Sequence, residues 1–147
     1  MKKTKPAPET ARAQVAALPI RRREDGAIEV LLVTSRTTRR WIVPKGWPIK
    51  GLKDHDAAAR EALEEAGVIG KVRKKPFGRY NYWKRMPDHF QLCNVTLYLL
   101  QVERQLEQWA EREQRTSRWL SPEDAALLVD EPELAMALRE LPETIDA

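Results

Sequence analysis

The sequence predicts an α+β fold in which a mixed β-sheet is sandwiched between helices, an α/β/α layering. Three observations predict it. Short β-branched and apolar runs recur along the chain, each broken by turn residues. One alanine-rich stretch of helical character lies between two of those runs, and further helix signals follow the last. At 147 residues the chain suffices for one hydrophobic core and is short for two, so helices and strands must share it.

The elements follow in order. Residues 1–11 form a flexible charged tail with no apolar run behind it to make an export signal, and residues 12–147 form a single domain. QVAALPIRR and AIEVLLVTSR are two antiparallel strands joined at Asp25-Gly26, a hairpin signal. WIVP is a short extended piece stopped by Pro44, and KGWPIKG is a loop by its two glycines and second proline. A helix over 54–66 comes next, with Asp54 or Asp56 as N-cap, alanines to propagate it and Gly67 as a left-handed C-cap. VIGKVRKKPFGRYNYWKR and FQLCNVTLYLLQVE make a second strand pair around MPDH, where Pro87 bars a paired central position, and bring the sheet to about five strands. QLEQWAEREQRTSRWLS is a loop or helical turn ending in a strand at Trp119. Ser121-Pro122 then opens a capped helix, and a last helix covers roughly residues 131–140.

Composition excludes several classes. An apolar fraction of 42% and a charged fraction of 33% describe a globular chain, and no apolar run approaches the roughly 18 residues of a membrane span. The single cysteine, Cys93, rules out an internal disulfide and fits a reducing compartment, the cytoplasm by default. The net charge of +4 points to an anionic partner, and residues 71–85 carry seven basic side chains and no acidic one.

Against this basic background, Glu61, Glu64 and Glu65 crowd the end of the predicted helix. At about 100° per residue they share one side, while Ala59, Ala62, Leu63 and Ala66 form another. Like charges there repel, and the negative end of the helix dipole adds on the order of several tenths of a kcal/mol each. Arg60 neutralises only part of this. A hard divalent cation, Mg2+ or Mn2+, suits such an oxygen cluster; a solvated acidic helix face is the plain alternative.

The surrounding residues favour the cation. From Gly46 the chain places Arg60, Glu61, Glu64, Glu65, Gly67 and Val68 at the spacings of G-x5-E-x7-R-E-U-x-E-E-x-G-U, with U bulky and aliphatic. Residues 46–68 thus resemble the Nudix box, the signature of hydrolases that cleave a nucleoside diphosphate linked to another group. Leu52 stands where the pattern has its first glutamate, and Ala62 is smaller than the usual aliphatic residue. LLVTSRTTRRWIVPKGW and EREQRTSRWLSPEDAALLVDEPEL are similar to the branch that includes diphosphoinositol polyphosphate and diadenosine polyphosphate hydrolases. The resemblance covers roughly residues 14–140.

The resemblance implies a Nudix-like fold and a Mg2+-dependent pyrophosphohydrolase, with Mn2+ as substitute metal. Glu64 and Glu65 would bind metal, Glu61 would ligate it or accept a proton from water, and the Gly46 carbonyl would complete the loop side. Arg60 would orient the carboxylates, leaning on Asp54 or Asp56 because Leu52 lacks the usual partner. A later acid, Glu111 or Glu113, would join them. Lys45, where relatives often have glycine, is placed to touch a phosphate.

Arg36, Arg39, Arg40, Lys50, Lys53, Arg79, Lys84 and Arg85 flank the box as candidates to grip a polyphosphorylated small molecule. Tyr80, Tyr82 and Trp83 are candidates to stack on a base, although strand aromatics more often pack in a core. His55 and His89 lack a metal-binding partner at helical spacing. Two alternatives stand beside the hydrolase: an RNA 5′-end pyrophosphohydrolase using the 71–85 stretch, and a catalytically weak nucleotide-binding module, for which Leu52 is the argument. Nucleic acid is the less favoured partner, and charge alone leaves the acidic face unexplained.

Overall fold

The first strand determines the architecture because it is apolar on both sides. In the computed structural model, which describes residues 11–146, β1 (Arg12–Arg22) is buried continuously from Gln14 to Ile20, as expected of a strand covered on both faces. The tail expected over 1–11 lies outside the described residues except for Ala11. Alternate β1 side chains serve different cores. Ala16, Leu18 and Ile20 join one cluster, and Val15 and Ala17 join the other. Truncating the fully buried Leu18 to alanine should cost about 2–5 kcal/mol.

The hairpin at Asp25-Gly26 forms as predicted, with β2 (Ile28–Thr34) antiparallel to β1 through Ile20↔Val30. Asp25 accepts from the Ala27 amide at 2.9 Å, and Gly26 adopts φ 88°. β3 (Trp41–Ile42) pairs with β2. The segment expected as a plain loop contains a further strand, β4 (Lys45–Gly46), which pairs with the first half of β1, beyond the Ile20–Arg22 stretch that β2 pairs with.

The long basic segment expected as one strand is two. Pro76, which has no amide hydrogen to donate, lies between β5 (Val68–Val72) and β6 (Gly78–Arg85). Both pair antiparallel along the same side of β7 (Phe90–Gln105), whose 16 residues are long enough for both. β7 runs parallel to β1 from Arg12↔Cys93 to Ile20↔Gln101, the junction that makes the sheet mixed. With β8 (Ser117–Leu120) on β2, the sheet has eight strands rather than about five.

Helix α1 (Asp54–Ala66) lies on the Val15 face, and α2 (Pro122–Leu128) and α3 (Pro132–Asp146) cover the other. The α2 cap is as predicted: Ser121 Oγ accepts from the Asp124 amide at 3.1 Å, with Pro122 in the first turn. α3 runs past the expected end near 140, because Leu134, Leu138 and Leu141 keep one buried stripe in contact with the core. At α1 the cap expectation fails. Lys53 is the N-cap and makes no side-chain cap bond, while Asp54 and Asp56 sit inside the first turn, where their charge favours the positive end of the helix dipole. Gly67 does supply the left-handed C-cap, at φ 69°.

Candidate active site

The α1 face turned to the sheet consists of Ala57, Ala58, Ala62, Glu65 and Ala66. This corrects the expected division of the helix: Leu63 is exposed at 37% and Glu65 is buried at 5%. The small alanines let the helix approach the sheet closely, which carries Glu61 and Glu65 to the β4 edge. There Gly46 is the necessary residue, since a Cβ on it would collide with the Glu61 carboxylate. Its neighbour Lys45 points to the opposite face by strand alternation, its ammonium 4.9 Å from the Tyr82 ring centroid. The Tyr82 hydroxyl in turn donates to buried Gln14 at 2.7 Å.

A second segment closes the site from the C-terminal end of α1. After β7 the chain folds back, donating Leu106 N to Gly67 O at 2.8 Å, Trp109 Nε1 to Glu65 O at 3.2 Å and Glu111 N to Glu64 O at 3.0 Å. These bonds satisfy carbonyls that a helix end leaves unpaired. The Trp109 indole lies directly on Gly67, where no Cβ would fit. Glu111 thereby arrives beside the helix acids, and Arg115 Nε donates to its Oε1 at 2.7 Å. Glu113 does not join them: its side chain is 88% exposed and pairs with Arg112.

Burial and crowding set the charge states. Desolvation is the largest cause lifting Glu65 to about 8; Arg115 opposes it, and the bond to Glu61 and the Glu61 charge reinforce it. Glu61 is also raised, first by desolvation and further by Glu64 and Glu111. Lys45 is lowered to about 8 by desolvation, against the attraction of Glu65 and Glu131. As an acid, Glu65 has an acceptor in Glu61; as an anion, its buried Oε1 has no donor. A divalent cation satisfies that second state, and the all-oxygen donor set matches Mg2+ or Mn2+. Among the described residues no three acidic, histidine or cysteine side chains already stand in ligating geometry.

The predicted cations separate into groups. Arg40 and Lys84 lie within electrostatic reach of Lys45, and Arg40 is tied to Glu131 at 3.2 Å and Asp130 at 3.4 Å. Arg36 and Arg39 instead bond Gln114 at 3.3 and 3.0 Å. Arg79 acts on Tyr98, and Lys50, Lys53 and Arg85 are exposed. Arg60 is exposed and, among the described residues, has no side-chain hydrogen bond or ion pair, with Asp54 and Asp56 included. Tyr80 is buried in the core, whereas Trp83 is 63% exposed. His55 packs on Tyr98 and His89 bonds Asp88. Sequence reasoning missed Gln14, Trp109, Arg115 and Glu131; Arg115 and Glu131 fell within the flanking segment that carries the family resemblance.

The model of the NUDIX domain matches residues 11–141. Nudix hydrolase 16, mitochondrial, of Arabidopsis thaliana is 37% identical over 77% of this chain and 64% of its own length. Diphosphoinositol polyphosphate phosphohydrolase 3-alpha of Homo sapiens is 38% identical over 80% of this chain and 69% of its own. Other Arabidopsis relatives are matched over 58% and 48% of theirs, so the chain spans about half to two thirds of several curated relatives. Among solved structures, a C. elegans Ap4A hydrolase binary complex superposes with a TM-score of 0.69 at 21% identity, covering 92% of this chain and 98% of that one. The NUDIX domain of Shewanella oneidensis NrtR complexed with ADP ribose does so at 0.66 and 14%, covering 92% and 88%. At these identities the structural likeness speaks for the fold.

Proposed function

This chain belongs to the NUDIX domain family, and from that premise we propose that it is a Mg2+-dependent pyrophosphohydrolase that cleaves a phosphoanhydride in a phosphate-rich small molecule. The carrying observation is the Glu61 carboxylate set against Gly46 beside the buried Glu65, whose Oε1 has no hydrogen-bond partner among the described residues. Glu61, Glu64, Glu65 and Glu111, with the Gly46 carbonyl, would hold the cation. Bound there, Mg2+ would neutralise phosphate oxygens and lower the pKa of a water.

The chain's own residues supply the remainder. Glu61, with its raised proton affinity, suits the acceptor of the proton from the attacking water. Lys45, on the other face of β4 from Glu61, is within electrostatic reach of Glu65, and Arg40 and Lys84 add positive charge beside it, which favours a substrate with many phosphates. Of the two small-molecule classes, a diphosphoinositol polyphosphate fits better than a diadenosine polyphosphate. Aromatic faces in this region already carry cations: Lys45 lies over Tyr82, and Arg12 lies 4.2 Å from the Trp47 ring centroid. Those rings then favour phosphate over a stacked base. The relative named as a diphosphoinositol polyphosphate phosphohydrolase supports the same choice. No described helix is long and apolar enough to cross a membrane, and buried Cys93, a free thiol, supports a reducing compartment such as the cytoplasm, although several relatives carry mitochondrial names.

The test is a substrate panel with Mg2+ or Mn2+: inositol pyrophosphates, dinucleoside polyphosphates and triphosphorylated RNA. The expected result is phosphate release from inositol pyrophosphates and a loss of at least about 100-fold in Glu64→Gln. Pyrophosphate or phosphate released only from RNA would transfer the assignment to 5′-end hydrolysis. Calorimetric binding without turnover would make the chain a binding module, in line with Leu52.

A further inference from the structure

We infer that Arg115, rather than Arg60 of the box, is the positioning residue that holds the acids of this site in register for a divalent cation; the inference rests on the metal-dependent reading above. Arg60 is one step, about 100°, from Glu61 around the helix, which turns it to solvent. It has no side-chain partner among the described residues, and Leu52 offers it no carboxylate. An arginine without an acceptor gains nothing by leaving water.

Arg115 has the opposite surroundings. Its side chain is 9% exposed, and its three nitrogens face acceptors from three segments. Nε donates to Glu111 Oε1 at 2.7 Å, Nη1 donates to Thr34 O at 3.0 Å, and Nη2 lies 3.9 Å from Glu65 Oε2. A planar fork hydrogen-bonded at two corners, with an ion-pair contact at the third, cannot rotate without losing a bond. The anchoring end is itself braced, since Thr116 N donates to Thr34 Oγ1 and Thr34 N to Thr116 O, both at 2.9 Å. Arg115 therefore links the end of β2, the returning loop and α1. Its charge acts on Glu61 as well as Glu65, and so offsets part of the repulsion among the acids. A lysine could replace its charge but not its three-way geometry.

Mn2+ titrated calorimetrically into the full chain, without substrate, tests this. Arg60→Ala should keep the dissociation constant within about twofold, as for an exposed side chain. Arg115→Ala should weaken binding by about 10- to 100-fold, the usual range for a residue that orients metal ligands. Arg115→Lys should fall between the two, and it carries the comparison should circular dichroism show Arg115→Ala unfolded. The inference is overturned if both Arg115 variants bind Mn2+ as the wild type does, or if Arg60→Ala weakens binding as much as they do. It is equally overturned if Mn2+ affinity holds while KM for an inositol pyrophosphate rises, since Arg115 would then grip phosphate directly. A wild type that binds no Mn2+ removes the metal reading and this inference together, whereas a binding wild type with unaffected Arg115 variants removes this inference alone.

Discussion

Glu65 and Glu131 are buried to similar extents, 5% and 8% exposed, yet the chain treats them differently. They approach Lys45 from the two sides of the sheet, Glu65 from α1 and Glu131 from the start of α3, and both attract its ammonium. Each leaves one carboxylate oxygen without a partner. Glu131 nevertheless has an arginine of its own, with Arg40 at 3.2 Å. The arginine near Glu65 is 3.9 Å away and bonded more closely to Glu111, and the other neighbours of Glu65 include Glu61, another acid. Equal burial therefore has two outcomes. Where the chain supplies the counter-charge, the carboxylate ties elements together; where it supplies more acids, the site favours a proton or a cation from solution.

That contrast can be broken or sharpened by experiment. The largest expected effect is on catalysis: Glu65→Gln should lower turnover of an inositol pyrophosphate by about 100-fold or more, because an amide cannot serve as an anionic ligand. Turnover near the wild-type rate would show that Glu65 is only a buried acid like Glu131. Gly46→Ala should come next. Its methyl would displace the Glu61 carboxylate, at a cost of about 1–3 kcal/mol in chemical denaturation as for other overpacked sites, with a parallel fall in activity.

The third effect is a pH dependence of the metal-free protein. The folded state keeps the Glu65 proton up to about 8, against an ordinary value of 4.5. Over that window the unfolded chain binds fewer protons, so the Glu65 contribution is fully present below 4.5 and is lost as pH rises through about 8. Lys45 acts in the other direction: lowered from 10.5 to about 8, its contribution is present above 10.5 and lost as pH falls through about 8. Urea melts from pH 4.5 to 8 should therefore show declining stability, and saturating Mn2+ should reduce the decline; a profile unaffected by Glu65→Gln would refute the assignment. The smallest effects belong to the paired and exposed acids. Glu131→Gln should cost about 1 kcal/mol or less, since Arg40 is 37% exposed, and Glu113→Gln should change stability by no more than about 0.5 kcal/mol.

Much of the site was legible because it is local. The 54–66 helix, its glycine cap, the Ser121 cap and the Asp25-Gly26 hairpin each depend on residues within a turn of one another, and each is present. The expectations that failed depend on distant partners. Lys53 displaced the two aspartates as N-cap, β4 formed because β1 offered it an unpaired edge, and one basic run became two strands because β7 is long enough for both. The choice between Glu111 and Glu113 was likewise made by the backbone bond from Glu111 to Glu64.

By itself the sequence determined that Glu61, Glu64 and Glu65 lie near one another at the end of one helix, because the period of a helix is a property of the backbone. Only the tertiary structure decided that Glu65 faces inward, that Gly46 makes room for Glu61, and that Arg115 rather than Arg60 meets the acids. Those outcomes depend on how closely α1 packs on β1 and on where the chain returns after β7. Contacts between residues tens of positions apart arise from packing, and no local spacing encodes them.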